Sequence, residues 1–320
     1  MAIDERDIEI LDYLELEGPV TLSTLAYKLG KAKSFMWRRI DKLRSLGLIN
    51  VKKVGGVSII YRVYDKPAPG VIKIGLLRAS EYPYILEFAR MLKDMFSSIK
   101  IIVYDEAFRL GLDLASNKVQ LGMAPVSTLI LAHRISSGRV HIVGGGSGGG
   151  AYILESKGGG LGHATTMAST MELCAEMHKL EPPRVYKSSG IDILESTLRG
   201  ETRYGVVWEP YAAIAKTKGL KADPCNTPIC CVLGANKSIE ASFRHISRLL
   251  SKAISESKAK IDNINVYANI IGFEKVIVAK TIESYTFYED IPRDLIVNIW
   301  GSIKASIVPD ISLNQVFRED

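Results

Sequence analysis

The stretch VIKIGLLRASEYPYILEFARMLKDMFSSIKIIVYD, residues 71–105, carries the reading of the larger part of this 320-residue chain. Its first eight residues form a near-continuous apolar run, as in a strand buried on both faces of a parallel sheet. Over 83–97 the residues Ile85, Phe88, Ala89, Leu92 and Phe96 return at helical spacing and make one apolar stripe. Residues 99–105 read as a second strand. Strand, helix and strand in this order open a doubly wound α/β pattern.

The alternation continues toward the C-terminus. A helix is expected over 107–117 and a strand over 119–124, with further strand candidates at 140–143 and 151–155. HATTM at 163–167 is strand-like and precedes a helix over 169–180. Strands at 185–187 and 204–208 each lead into a helix, the first over 191–199 and the second after Glu209-Pro210-Tyr211. ICCVLGA, 229–235, reads as a returning strand before a long helix over 240–257. The tail from 264 to 307 reads as mostly helical.

Toward the N-terminus, Lys66-Pro67-Ala68-Pro69-Gly70 breaks any regular element and reads as a short stiff linker. Residues 1–65 before it form a separate unit, read as three helices and a hairpin. The first helix, 4–17, sets Ile8, Leu11 and Leu14 against acids and stops at Gly18-Pro19. The second, 22–29, has Leu22, Leu25, Ala26 and Leu29 on one stripe and ends at Gly30, a residue that tolerates positive φ. The third, 33–46, turns Met36, Ile40 and Leu43 inward and Ser34, Trp37, Arg38, Asp41, Lys42 and Ser45 outward. Strands over 48–54 and 57–64 flank Gly55-Gly56, a fit for a two-residue turn.

Two amphipathic helices around a short glycine turn match the helix-turn-helix layout. The phrase LSTLAYKLGKAKSFMWRRIDKLRSLGLI resembles the winged helix-turn-helix family over residues 4–64, with Ala32 departing from the usual Ser or Thr cap. The resemblance implies DNA binding through Lys31, Lys33, Ser34, Trp37, Arg38 and Lys42 on the third helix. Lys52, Lys53 and Arg62 on the wing would hold the flanking backbone. Charge agrees with it: residues 28–62 hold ten Lys or Arg and one acid, whereas 4–17 hold seven acids and one Arg, in a chain of net charge +6.

The remaining 250 residues look like the type II periplasmic binding fold, nearest to receptors for alkanesulfonates, nitrate and thiamine pyrimidine precursors. The residues that carry this are IKIGLLR, VQLGMAPVSTLI, YILES and VVWEPYAAIA in that order. The resemblance implies two lobes, one of 71–155 with 234–320 and one of 156–233, with a ligand cleft between them. Strand ends and helix N-termini converge on such clefts and favour anions. The expected ligand residues are Arg78, Ser80, Tyr82, Ser127 and Thr128 from the first lobe. Thr165, Thr166, Ser169, Thr170, Ser188, Ser189, Trp208, Glu209 and Tyr211 come from the second. Hydroxyls with one Arg suit a small organic acid or oxyanion.

Other signals carry less. Gly144, Gly146 and Gly149 satisfy GxGxxG, but no helix pattern opens there and the run reads as a flexible loop. Cys174 and His178 stand four apart, and Cys225, Cys230 and Cys231 lack a paired CxxC. Four cysteines make no disulfide framework, and no metal or cofactor is expected. The N-terminus is acidic where an export signal is basic and then apolar, so a cytoplasmic location is expected.

Domain order resembles LysR-type regulators. The expectation is therefore a non-enzymatic transcription regulator, a homodimer or higher homo-oligomer, that binds double-stranded DNA and senses a small anionic effector in the cleft. The alternative is a cytoplasmic enzyme of cofactor biosynthesis on the same fold, for which the 225–231 cysteines and His163 would be the reactive groups.

Overall fold

The computed structural model describes residues 4–17, 19–54, 57–63, 70–257, 263–302 and 313–318. The N-terminal unit runs α1 (Glu5–Glu17), β1 (Val20–Thr21), α2 (Leu22–Lys28), α3 (Lys33–Ser45), β2 (Ile49–Val54) and β3 (Val57–Arg62). Its three strands form an antiparallel sheet in the order β1-β3-β2. Ile10, Leu11, Leu14, Leu25, Ala26, Met36, Ile40, Leu43, Ile49 and Ile60 close one small core. On α1 the buried register is Ile10, Leu11 and Leu14, and Ile8 is exposed, because the three helices meet one residue round from the expected stripe. Thr21 caps α2 through its hydroxyl, whereas Ala32 gives α3 no side-chain cap. The Gly55-Gly56 turn and linker residues 66–69 lie outside the described residues.

The larger unit continues with β4 (Val71–Leu77), α4 (Ile85–Leu92), β5 (Ser98–Tyr104), α5 (Ala107–Ala115), β6 (Leu121–Pro125), α6 (Val126–Ile135) and β7 (Val140–Gly149). The chain then crosses into β8 (Ala151–Glu155), β9 (His163–Thr165), α7 (Thr170–Met177), β10 (Arg184–Tyr186), α8 (Gly190–Leu198), β11 (Tyr204–Trp208), α9 (Tyr211–Thr217) and β12 (Lys221–Pro224). It returns through β13 (Cys231–Asn236), α10 (Phe243–Ser257), α11 (Ile264–Ile271), α12 (Lys275–Thr281), β14 (Tyr285–Tyr288) and α13 (Arg293–Ser302).

Two sheets result. The first has the order β14-β7-β13-β6-β4-β5, and the second β10-β9-β11-β8-β12. β4 pairs in parallel with β5 and β6, and β9 with β10 and β11, as expected of βαβ units. The returning strands β7, β8 and β13 pair antiparallel with their neighbours. Each lobe is therefore a mixed sheet with helices packed on it, and the architecture is α/β.

Three expectations need correction. Residues 151–155 pair within the second sheet, so they belong to the second lobe, and residues 231–233 pair with β6 and β7 in the first. The glycine run is no loop: it is the buried second half of β7. Gly146 and Gly148 are glycine because an added Cβ would meet the Cys231 carbonyl oxygen at 2.0 Å and that of Pro228 at 1.9 Å. The tail is not wholly helical, since Tyr285–Tyr288 add the edge strand β14 to that same glycine segment. No described helix is long and apolar enough to cross a membrane.

Candidate functional site

The lobes meet at the C-terminal ends of β4, β6 and β11, where a doubly wound sheet leaves its crevice. A narrow, largely filled cleft lies there. From the first lobe Leu77, Ala79, Glu81, Ala107, Pro125 and Gly149 line it. From the second come Thr166, Ser169, Thr170, Met171 and Trp208, with Cys230 and Tyr285 closing the floor and one side. Ala107 and Thr170 are the first residues of α5 and α7, and Pro125 directly precedes α6. Three helix N-termini thus border one slot. α5 has no side-chain cap, whereas Ser169 caps α7 by accepting from the Met171 and Glu172 N–H groups.

Of the expected ligand residues, Thr166, Ser169, Thr170 and Trp208 line the cleft. Several of the expected residues, Thr170 and Trp208 among them, spend their polar atoms on the seam between the lobes. The Ser127 and Thr128 hydroxyls both donate to the Ala168 carbonyl, at 3.0 and 2.6 Å. The Ser80 N–H donates to the Glu209 carbonyl at 3.2 Å, and the Trp208 indole N–H to the Arg78 carbonyl at 2.8 Å. The Thr170 hydroxyl donates to Cys230 Sγ at 3.1 Å. These bonds hold the lobes closed on one another.

The rest are elsewhere. Arg78 turns away from the cleft, pairing with Asp105 at 2.5 Å and donating to the Ile271 carbonyl at 2.7 Å. Tyr82 is in the core. Ser188 and Ser189 both donate to Asp192, and Ser189 caps α8. Tyr211 packs edge-on between Trp208 and Phe273, with centroids 5.2 and 5.3 Å away. Glu209 accepts from the Ala213 N–H in the first turn of α9, and burial holds its carboxyl above the usual range. Thr165 is buried, and its hydroxyl has no hydrogen-bond partner.

Sequence reasoning missed Glu81, Ser147 and Tyr285, and weighed Cys230 only as one of the 225–231 cysteines. Glu81 is 2% exposed and accepts from the Ser147 hydroxyl at 2.6 Å. Burial raises its carboxyl, against the hydrogen bonds it accepts. An acid among the apolar residues that follow a buried strand was the signal available. Cys174 and Cys225 form a disulfide across 51 residues, which corrects the reading of the cysteines as a set without bridges.

The face expected to bind DNA is partly occupied. Lys31, Lys33, Ser34, Trp37, Arg38 and Lys53 are exposed. Lys42 instead donates to the buried Asp7 at 2.5 Å, and Arg39 also pairs with that carboxylate. Lys52 reaches Ser137 of the larger unit at 3.0 Å, and Arg62 faces the Leu11 carbonyl at 3.4 Å. The acidic first helix therefore takes up charge that sequence alone left on the surface.

No family model matches the chain, and no curated protein is similar to it in sequence. Solved structures are similar in fold. The periplasmic aliphatic sulphonate binding protein SsuA from Escherichia coli superposes with a TM-score of 0.57 at 13% identity, over 78% of this chain and 92% of its own. A ligand-binding component of an ABC-type import system from Staphylococcus aureus, with zinc bound, gives 0.56 at 14%, over 78% and 99%. The periplasmic nitrate-binding protein NrtA from Synechocystis PCC 6803 gives 0.56 at 12%, over 80% and 88%. The chain has a periplasmic-binding-protein-like fold. These likenesses are to ligand-binding proteins, two of them periplasmic and one a component of an ABC-type import system. They overturn the expectation of a cytoplasmic, DNA-binding transcription regulator.

Proposed function

We propose that the chain is a binding protein for a small ligand, held between the two lobes of residues 71–317, and not an enzyme. The observation that carries this is the meeting of three helix N-termini, three hydroxyl residues and two aromatic rings on one narrow slot at the crevice of the sheets. Helix N-termini and hydroxyls bind an oxyanion, and Trp208, Tyr285, Leu77 and Met171 supply apolar walls for a short tail. A small organic acid such as a short alkanesulfonate suits both features. The names of the structural neighbours support the same class of ligand. The disulfide fits an oxidising compartment. For residues 5–62 we propose the winged helix-turn-helix arrangement as a fold, on the order of helices and strands.

The test is calorimetric titration of the metal-free protein with nitrate, short alkanesulfonates and carboxylates. One saturable site is expected. Thr170→Val weakens it about tenfold, the loss of one good hydrogen bond to a charged ligand, ~1.4 kcal/mol. Trp208→Ala weakens it further. Binding that neither substitution affects, or turnover of the bound compound, would sink the proposal.

A further inference from the structure

Three side chains capable of ligating a metal meet at the floor of the cleft, and the bonds that close the lobes make little use of them. Glu81 follows β4, Cys230 immediately precedes β13, and Cys231 is its first residue. One ligand atom from each lies within 4.8 Å of the other two. The sulfurs are 2.9 Å apart, and Cys230 Sγ is 3.8 Å from Glu81 Oε2. Neighbouring side chains in a regular strand point to opposite faces. Here Cys230 stands before the strand begins. Its N–H donates to the Ser147 carbonyl and its carbonyl accepts from the Val126 N–H, and its thiol lies beside that of Cys231.

All three groups are buried, and burial pushes the Glu81 carboxyl and both thiols upward. Glu81 accepts from the Ser147 hydroxyl, and the Cys230 thiol lies 3.8 Å from its other oxygen. Two of the three have a hydroxyl donating to them, Ser147 to Glu81 at 2.6 Å and Thr170 to Cys230 at 3.1 Å. The Tyr82 hydroxyl is fully buried and has no hydrogen-bond partner. Donors of this kind orient metal-binding side chains and stabilise their anionic forms.

We propose that Glu81, Cys230 and Cys231 bind one thiophilic, closed-shell divalent cation, of which zinc is the biological member. Two thiolates and a carboxylate are a donor set for such an ion, and a fourth position is left open. Entry of the cation displaces the two thiol protons, which pass to solvent. The sulfurs must move apart, because Zn–S bonds of ~2.3 Å in a tetrahedron set S···S at about 3.7 Å. Glu81 and Cys230 both line the cleft. The open position therefore faces the slot, where water or a donor atom of the cleft ligand completes the coordination. The other sulfur cluster offers no such site, since Cys174 and Cys225 are bonded to each other and leave His178 alone.

The experiment uses the full chain carrying Cys174→Ser and Cys225→Ser, so that only two thiols remain. The protein is reduced, stripped of metal and titrated with cadmium, and the thiolate-to-cadmium charge-transfer absorption is followed. One equivalent is expected to saturate the band, and X-ray absorption of the complex is expected to show two sulfur ligands. Glu81→Gln keeps the band and weakens binding tenfold or more. Cys230→Ser with Cys231→Ser abolishes it. A band absent at one equivalent, a band that survives loss of both cysteines, or a complex with fewer than two sulfurs overturns the proposal. If the double cysteine variant does not fold, the sulfur count and Glu81→Gln decide. The anion titration above uses metal-free protein, so the two proposals fail separately.

Discussion

Glu209 shows at the scale of one residue how position overrides residue type. In sequence it is an acid beside Trp208, a plausible contact for a ligand. In the fold its carboxylate accepts the Ala213 N–H, and its own backbone joins the lobes through Ser80 and Gly150. Burial outweighs that hydrogen bond and the nearby Lys216, so the folded carboxyl titrates above its unfolded value of about 4.3. The sign follows from linkage: its contribution is greatest below the unfolded pKa and is lost as pH rises through the folded one. Glu209→Gln, which has no carboxyl to ionise, is expected to flatten the fall in urea midpoint between pH 4 and pH 7. A slope equal to that of the parent protein would show that burial of Glu209 is not felt. The same logic separates the legible from the hidden candidates. Thr166, Ser169 and Thr170 were readable as hydroxyls at a helix start, though the same signal placed Ser188 and Ser189, which only serve the cap of α8. Arg78 was misplaced because Asp105 and Ile271, its partners, are distant in sequence.

Among the elements, β7 is the one whose sequence misled. Glycine has no side chain to pack, so GGGSGG over 144–149 carries no apolar alternation and reads as a loop. Its need for glycine is steric and arises from chains that cross it: Cys231 and Pro228 on one side, Ser284 and Tyr288 on the other. Gly148→Ala is expected to destabilise the protein by about 3 kcal/mol, the upper range for overpacking, because the Cβ would sit 1.9 Å from a carbonyl oxygen that cannot swing away. Urea denaturation measures it, and a loss below about 0.5 kcal/mol, the scale of an ordinary surface change, would refute the close approach. The strands β4, β6 and β11, by contrast, were legible as apolar runs, since burial on both faces leaves no alternative composition.

At the scale of the whole molecule, the N-terminal unit is joined to the larger one by its hairpin. Tyr61 on β3 is 1% exposed and packs in the core of the larger unit together with Ile59, while Ile60 between them faces the small core. Its hydroxyl donates to the Ile135 carbonyl at 3.2 Å, and Lys52 reaches Ser137 on the same loop. Tyr61→Ala removes the ring and this bond, a loss of ~3–5 kcal/mol at the junction. Scanning calorimetry is expected to split one unfolding transition into two, with the smaller unit melting first. A single transition at the parent temperature would mean that the units are coupled by some other contact.

By itself the sequence determined what local patterning can specify. That covers the helix and strand alternation of 71–257, the buried register of α2 and α3, and the hydroxyl-bearing start of α7 at the cleft. Each of these follows from periodicity or from a cap, and both act over a few residues. Tertiary structure alone decided the pairing of Lys42 with Asp7, the Cys174–Cys225 bridge, the membership of β8 in the second lobe, and the meeting of Glu81 with Cys230 and Cys231. All of these join residues far apart along the chain, which no local period records and only the packing of one element on another brings within reach.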